Sequence, residues 1–465
     1  MKRLRWFVLP ALLIAAACSQ PEEEKKITLQ MTGPDWLPIS LMEQISADFP
    51  AYAKEKLGYT VEINMDPAPW STYYERLTAA LAAGSPTYDL FVADSQWLGD
   101  FAESGHILKL NEHIANDPEL AAIMDKIHPV LKGAYCAYPG GTENWWGFPQ
   151  EADVQGFFVR KDLFTNADER SAFQSRYGHE LPQTYEDWMK VEWEQARDYA
   201  EFFTRKAGET LAGETLENDF FGLALAYSKE YDFVSMAWLQ FLYNWGGDVW
   251  DWETMQVDGH LNSPKAVESL EYFLDLMQFQ PPGSVNNNLD GVNNAVASGL
   301  VAMASNWIAV SPGVIEDPSF STVTDKIMVV VPPGANGRRS FNLGGQPFVV
   351  GSKSKHVKEA LEYIKWWFQD AQQQRFAEGG GLPSTTALIE SDEFKKSRAW
   401  TRAFADTIPY QRDVWKHPKF FSMITAQQEE LHKAVSGEQT AQEALENAAL
   451  RQEGILEEWR KDKGE

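Results

Sequence analysis

The sequence predicts an α/β protein built as two lobes, and three observations carry that reading. Strand-like and helix-like stretches alternate between residues 27 and 93, the signature of a parallel α/β layer. A second series of strands and helices starts near residue 151. The chain has 465 residues, more than the roughly 250–300 that one hydrophobic core usually serves. A hydrophobic content of 44% is that of a globular protein.

The chain opens on a leader. Lys2, Arg3 and Arg5 form a basic cap, and Trp6 to Ala17 is apolar apart from Pro10. This run is shorter than the roughly 20 residues of a membrane span and has the layout of an export signal. Cys18 follows, then Ser19, Gln20, Pro21 and three glutamates, Glu22 to Glu24. The arrangement resembles a bacterial lipoprotein leader, whose cysteine is acylated and becomes the new N-terminus. Ala15 stands where that pattern usually has leucine, so cleavage at Ala15-Ala16-Ala17 by ordinary signal peptidase is the alternative. Residues 1–18 are the leader and 19–26 a charged tether.

Ile27 to Thr32 alternates as a strand and ends at Gly33-Pro34. Leu41 to Tyr52 has helical spacing, and Thr60 to Asn64 alternates again. Tyr73 to Ala83 is helical and stops at Gly84-Ser85-Pro86. Asp89 to Ala93 is a short, nearly continuous apolar strand, as in a sheet covered on both faces. In the second unit, Gln155 to Val159 is strand-like, Lys161 to Phe164 a helical turn, Trp188 to Lys206 a long amphipathic helix, and Phe221 to Ala226 a strand. Ser263-Pro264 starts a helix, with proline at the favoured first position. The Asn-rich stretch 286–294 lacks the spaced carboxylates and closing Glu of a calcium loop, so a turn-rich connection is expected. Val296 to Ser305 is expected as a helix, Ile327 to Val331 and Phe348 to Val350 as strands, and Val357 to Gln369 as a helix. Thr440 with Glu443 forms a capping box before the last helix. Residues 27–150 and 293–345 are assigned to the first lobe, 151–292 and 346–465 to the second.

Charge narrows the partners. The chain carries 41 Lys+Arg against 67 Asp+Glu, and loss of the three basic residues of the leader takes the net charge from −26 to −29. Nucleic acid and anionic lipid are repelled by such a surface, and a strongly anionic ligand is disfavoured. Besides Cys18, only Cys136 carries a thiol, so there is no disulfide framework. The count of 18 tryptophans exceeds what packing needs. Tryptophan can stack on the apolar C–H face of a sugar while donating a hydrogen bond.

Four stretches carry more specific information: Tyr88 to Leu110, Gly147 to Phe164, Ala297 to Val310 and Asn342 to Gly351. In this order and spacing they resemble the family 1 extracellular solute-binding proteins, the binding components of sugar-importing ABC transporters. Pro182 to Trp188 and the Trp245-Gly246-Gly247 turn support the likeness. The resemblance runs from about residue 27 to the C-terminus. It implies two α/β lobes of the type II-like periplasmic-binding-protein fold, joined by hinge strands and closing on a ligand in the cleft between them. It also implies a monomer without cofactor or metal, which takes up a sugar or polyol, hands it to the transmembrane subunits of a permease and meets the membrane only through a lipid anchor at Cys18.

Carried over residue by residue, the resemblance makes Asp94 a carboxylate that accepts from adjacent hydroxyls, which suits an ionised, acceptor-only group. Asp153 matches the acid just past the first hinge crossing, and Trp307 the aromatic lying along the sugar. Gly344 and Gly345 match backbone that approaches the ligand, and Arg412 a late basic residue on the same hydroxyls. Trp36 and Trp70 follow strand ends and could line the cleft, as could Trp245. Each has a duller reading: Asp94 as a helix cap, Asp153 as an ion-pair partner of Arg160, Trp307 and the other tryptophans as core, the glycines as a bulge, and Arg412 as a surface salt bridge. Motifs of hydrolases, phosphate-binding loops and zinc proteases are absent. A glycan-degrading enzyme, which needs two carboxylates about 5–9 Å apart, and a ligand sensor without a transport role stand as the alternatives.

Overall fold

The computed structural model describes residues 25–84 and 87–464. The leader, Cys18, most of the tether and the Ser85-Pro86 stop signal lie outside the described residues.

Among the described residues, nine strands form one mixed sheet. In chain order they are β1 (Lys26–Thr32), β2 (Thr60–Met65), β3 (Leu90–Val92), β4 (Phe148–Arg160), β5 (Phe221–Ala224), β6 (Val301–Trp307), β7 (Ile327–Val330), β8 (Phe341–Val350) and β9 (Gln411–Arg412). Their spatial order is β2-β1-β3-β8-β4-β6-β5, with β7 also on β4 and β9 on β8. The first three strands are parallel, as the strand–helix alternation requires, whereas β8 runs antiparallel to both β3 and β4.

Two long strands tie the halves together. Phe148 to Val154 of β4 pairs with β8, and Gln155 to Arg160 pairs with β6 and β7. The far end of β8, Phe348 to Val350, returns to β3. Period-2 alternation sends Leu90, Val92 and Phe158 to one apolar cluster and Phe91, Phe157 and Val159 to the other, so the sheet is covered on both faces.

Several expectations are corrected. The helix expected over Leu41 to Tyr52 is two helices, α1 (Leu37–Ser46) and α2 (Phe49–Leu57). Pro50 lacks the N–H and crowds the preceding turn, so it can only start a new helix. It is followed by α3 (Trp70–Ala82). The long helix expected from Trp188 is a single turn, Tyr185–Trp188, and a separate helix, Trp193–Phe203, each with its own capping box. The Asn-rich stretch is largely a helix, because the Asn288 side chain caps Leu289–Ala297 at the Gly291 N–H. Most of the expected helix Val296 to Ser305 is strand β6, whose alternation is masked because both faces are buried. Gly344 and Gly345 lie within β8, not before it.

The pairing also reverses two assignments. Segment 301–307 pairs with β4 and β5 of the second unit. Helix Val357–Trp367 packs instead on α2 of the first: Tyr52 donates to Glu362 at 2.8 Å, and Trp366 packs against Phe49 at 5.4 Å. The Thr440–Glu443 box is formed as expected and opens the helix Ala441–Lys463.

Candidate ligand-binding site

Strand β3 carries Asp94 to its C-terminal end, where open α/β sheets bind ligands. Its carboxylate caps the short turn Ser95–Trp97 by accepting from the Gln96 N–H at 3.3 Å. It also accepts from the Tyr231 hydroxyl at 2.9 Å, a residue 137 positions away that belongs to the second unit. Alongside, Gln96 Nε2 donates to Asp232 at 3.1 Å. The helix-cap reading of Asp94 is therefore correct but incomplete. Burial pushes Asp94 up to about 6, against the pull of its Tyr231 and Gln96 bonds. Burial, and then the charge of Asp94, pushes Asp232 up to about 7.

Tyr231 holds φ +49°, a left-handed conformation that a bulky residue rarely adopts and that costs about 1–3 kcal/mol. Its ring packs on Trp70 at 5.8 Å and edge-on to Trp97 at 6.3 Å. Trp36 stands edge-on to Trp70 at 5.6 Å. The structure thus brings Asp94, Trp70 and Trp36 together, with Tyr231 closing the group from the other half.

A second group forms where β4 and β8 cross. Asp153 is 1% exposed and accepts from the N–H groups of Val154 at 2.7 Å and Ala309 at 3.1 Å. It does not pair with Arg160, which makes a fork to Asp162 at 2.7 and 2.8 Å; the ion-pair reading of Asp153 fails. Glu151, fully buried on the same strand, and Asp153 are both pushed upward, chiefly by burial. Trp307, at the end of β6, lies over Gly344, where a Cβ would stand 2.8 Å from its ring. Gly345 has φ +93°, beside the register shift at Gln346/Pro347. A Cβ there would meet the Asp153 N and the Tyr135 hydroxyl oxygen, each at 2.6 Å. The bulge reading of the glycines is met, and it is what lets Trp307 and Asp153 sit together.

Two residues lie apart from these groups. Arg412 pairs with Asp248, its guanidinium over Tyr243 at 4.5 Å and Trp252 at 5.5 Å, as the salt-bridge reading expects. Trp245 packs into the second-unit core against Tyr272 at 4.7 Å and Phe241 at 6.0 Å.

Sequence reasoning missed a set of buried amides. Gln155 Nε2 donates to the Met236 carbonyl at 3.2 Å, Asn342 Nδ2 donates to the same carbonyl, and Gln411 Nε2 donates to the Asp153 carbonyl at 2.7 Å. Each, like Gln96, leaves its own carbonyl oxygen buried without a protein partner. Buried polar atoms are normally satisfied; these oxygens are open to a further donor, as are polar atoms elsewhere among the described residues, such as those of Gln373 and Gln452. The available signal was polar side chains at alternate positions of otherwise apolar strands. Gln155, Met236, Asn306 and Trp307 line a cavity of only about 20 Å³, room for about one water, so nothing larger enters unless the walls part. Cys136 is fully buried and its thiol pushed up to about 12. Among the described residues no cluster of metal-ligating side chains occurs, and no helix is long and apolar enough to cross a membrane.

The family model for bacterial extracellular solute-binding proteins matches residues 38–374. A probable ABC transporter-binding protein of Deinococcus radiodurans is 24% identical over 351 residues, covering 74% of this chain and 73% of that protein. Among solved structures, an ABC transporter solute-binding protein of Agrobacterium radiobacter K84 in complex with ribitol superposes with a TM-score of 0.74 at 21% identity, over 91% of this chain and 97% of that one. Maltose-bound MalE3 of T. maritima gives a TM-score of 0.74 at 18% identity, over 92% and 100%.

Proposed function

The chain belongs to the bacterial extracellular solute-binding proteins, and on that premise we propose that it captures a carbohydrate or polyol between its two lobes and delivers it to the permease of an ABC importer. The observation that carries this reading is the set of buried, unpartnered oxygens of Gln96, Gln155, Asn342 and Gln411, with Gln96 beside Asp94 and Gln411 beside Asp153. Hydroxyl groups donate to such oxygens, and Trp307 and Trp70 offer ring faces for the sugar's C–H surface. Gly344 and Gly345 let the backbone come close, while Arg412 stays paired with Asp248. The same solute classes occur in the ribitol and maltose complexes of similar fold.

In this reading β4 and β8 are the hinge strands, and the ligand favours the closed arrangement. The protein works as an exported monomer, tethered by acylation of Cys18, without metal, cofactor or turnover. The several acyl chains of a lipoprotein hold where a single one would be marginal.

A thermal-shift panel of sugars, polyols and amino acids tests this. A true ligand at a hundredfold excess over its Kd adds about 2.7 kcal/mol and is recovered chemically unchanged. Stabilisation by amino acids alone, or conversion of the ligand, would overturn the proposal.

A further inference from the structure

The amides of the cleft are oriented one way. Gln96, Gln155, Asn342 and Gln411 each spend the amide N–H2 on a protein acceptor, which fixes their orientation and leaves four carbonyl oxygens unpartnered. Gln96, Gln155 and Asn342 are all more than nine-tenths buried. Unpartnered donors in the same region are the Trp36 and Trp97 indole N–H groups and the Ser235 and Tyr243 hydroxyls, of which the hydroxyls can also accept. Charge is one-sided. Asp94 and Asp232 face each other through Tyr231 and Gln96, and neither has an ion-pair partner among the described residues. The nearby cations are engaged elsewhere, Lys416 with Asp413 and the Gly133 and Ala137 carbonyls, Arg412 with Asp248.

A neutral sugar hydroxyl brings one donor, two acceptor sites and no charge, so it would leave Asp94 and Asp232 without a counter-ion. An ammonium brings three donors, no acceptor and a positive charge. It would be held by charge-assisted bonds about twice as strong as neutral ones, and the acidic surface would raise its local concentration. Resting on the reading of this cleft as the site of a hydroxylated solute, we propose that the solute carries a protonated amine beside its hydroxyls. It is an amino sugar or amino-deoxy polyol, whose ammonium sits between Asp94 and Asp232 and whose hydroxyls donate to the amide carbonyls.

The test is isothermal titration calorimetry of the purified protein at pH 7 with matched pairs: D-glucosamine beside D-glucose, D-galactosamine beside D-galactose, and 1-amino-1-deoxy-D-sorbitol beside D-sorbitol, with N-acetyl-D-glucosamine as the uncharged amide control. In at least one pair the amine should bind about tenfold or more tightly than its neutral partner, the scale of one charge-assisted bond. Asp94→Asn and Asp232→Asn should each bring that ratio towards one, with folding of both variants checked by their thermal transitions. Neutral members that bind as tightly as the amines would overturn the ammonium while leaving solute capture intact. Loss of all binding across the panel would overturn both. An amine preference that survives in both folded variants would remove Asp94 and Asp232 from the role.

Discussion

In the proposed reading, Asp94 serves structure and ligand at once. Its carboxylate caps a turn, takes a hydroxyl from the opposite half and still has lone pairs to spare, but it is buried without a counter-ion. Unfolded, such a carboxyl ionises near pH 4; in the fold Asp94 ionises near 6 and Asp232 near 7. Between those values the folded state binds more protons, so this contribution to stability is present below about pH 4 and is lost as pH rises towards 7. Asp94→Asn, without ligand, should therefore gain on the parent across that range, by about 1–3 kcal/mol, read as the difference between their denaturation midpoints at pH 4 and pH 7. A difference independent of pH would show that Asp94 is not held in its protonated form. Trp307→Ala addresses stacking instead. Trp307 rests on Gly344 at the wall of the small cavity, so its loss should weaken ligand binding by about 0.5–1.5 kcal/mol beyond the lost contact area while the protein stays folded. Unchanged affinity would take it out of the site.

Strand β8 is the element on which the site depends, and its two adjacent glycines should behave differently. Gly345 has a backbone conformation that L side chains rarely adopt, and a Cβ there would press on backbone of β4. Gly345→Ala should cost about 1–3 kcal/mol of stability, seen in denaturant midpoints with or without ligand. At Gly344 the obstruction is the Trp307 ring, a side chain that can swing away, so Gly344→Ala should lower affinity more than stability. Equal stability losses would mean that the ring is locked in the core. The same strand shows what could be read in advance. Alternation, caps and proline positions located most elements, including the Thr440 box and the parallel start of the sheet, because those signals are local. The glycine pair was visible, but its place inside a strand was not: a bulge is decided by the partner strand. Val301 to Trp307 was misjudged because burial on both faces erases the period that separates strand from helix. Asp94, Trp70 and Asp153 could be chosen from strand ends and family likeness. Tyr231 and the buried amides could not, since their role comes from pairing with residues 81 to 258 positions away.

At the scale of the whole molecule, two strands cross between halves that also touch through Asp94–Tyr231 and Gln96–Asp232. In the proposed reading these contacts close the site as a ligand would, and we expect them to set how open the free protein is. A hydrogen bond to a charged group contributes about 1.5–3 kcal/mol, enough to change the ratio of closed to open forms by about 10- to 150-fold. A solute that needs the walls to part competes with these bonds on entry and regains contacts of the same kind on closure. Tyr231→Phe removes one bond and keeps the ring on Trp70. By small-angle scattering the free variant should have a larger radius of gyration than the parent, and a saturating ligand should bring both to the same compact value. Its apparent affinity should fall with the population of the binding-competent form. If the free variant is as compact as the parent, the bond does not govern closure, and the strain at Tyr231 would serve the ligand-bound arrangement alone.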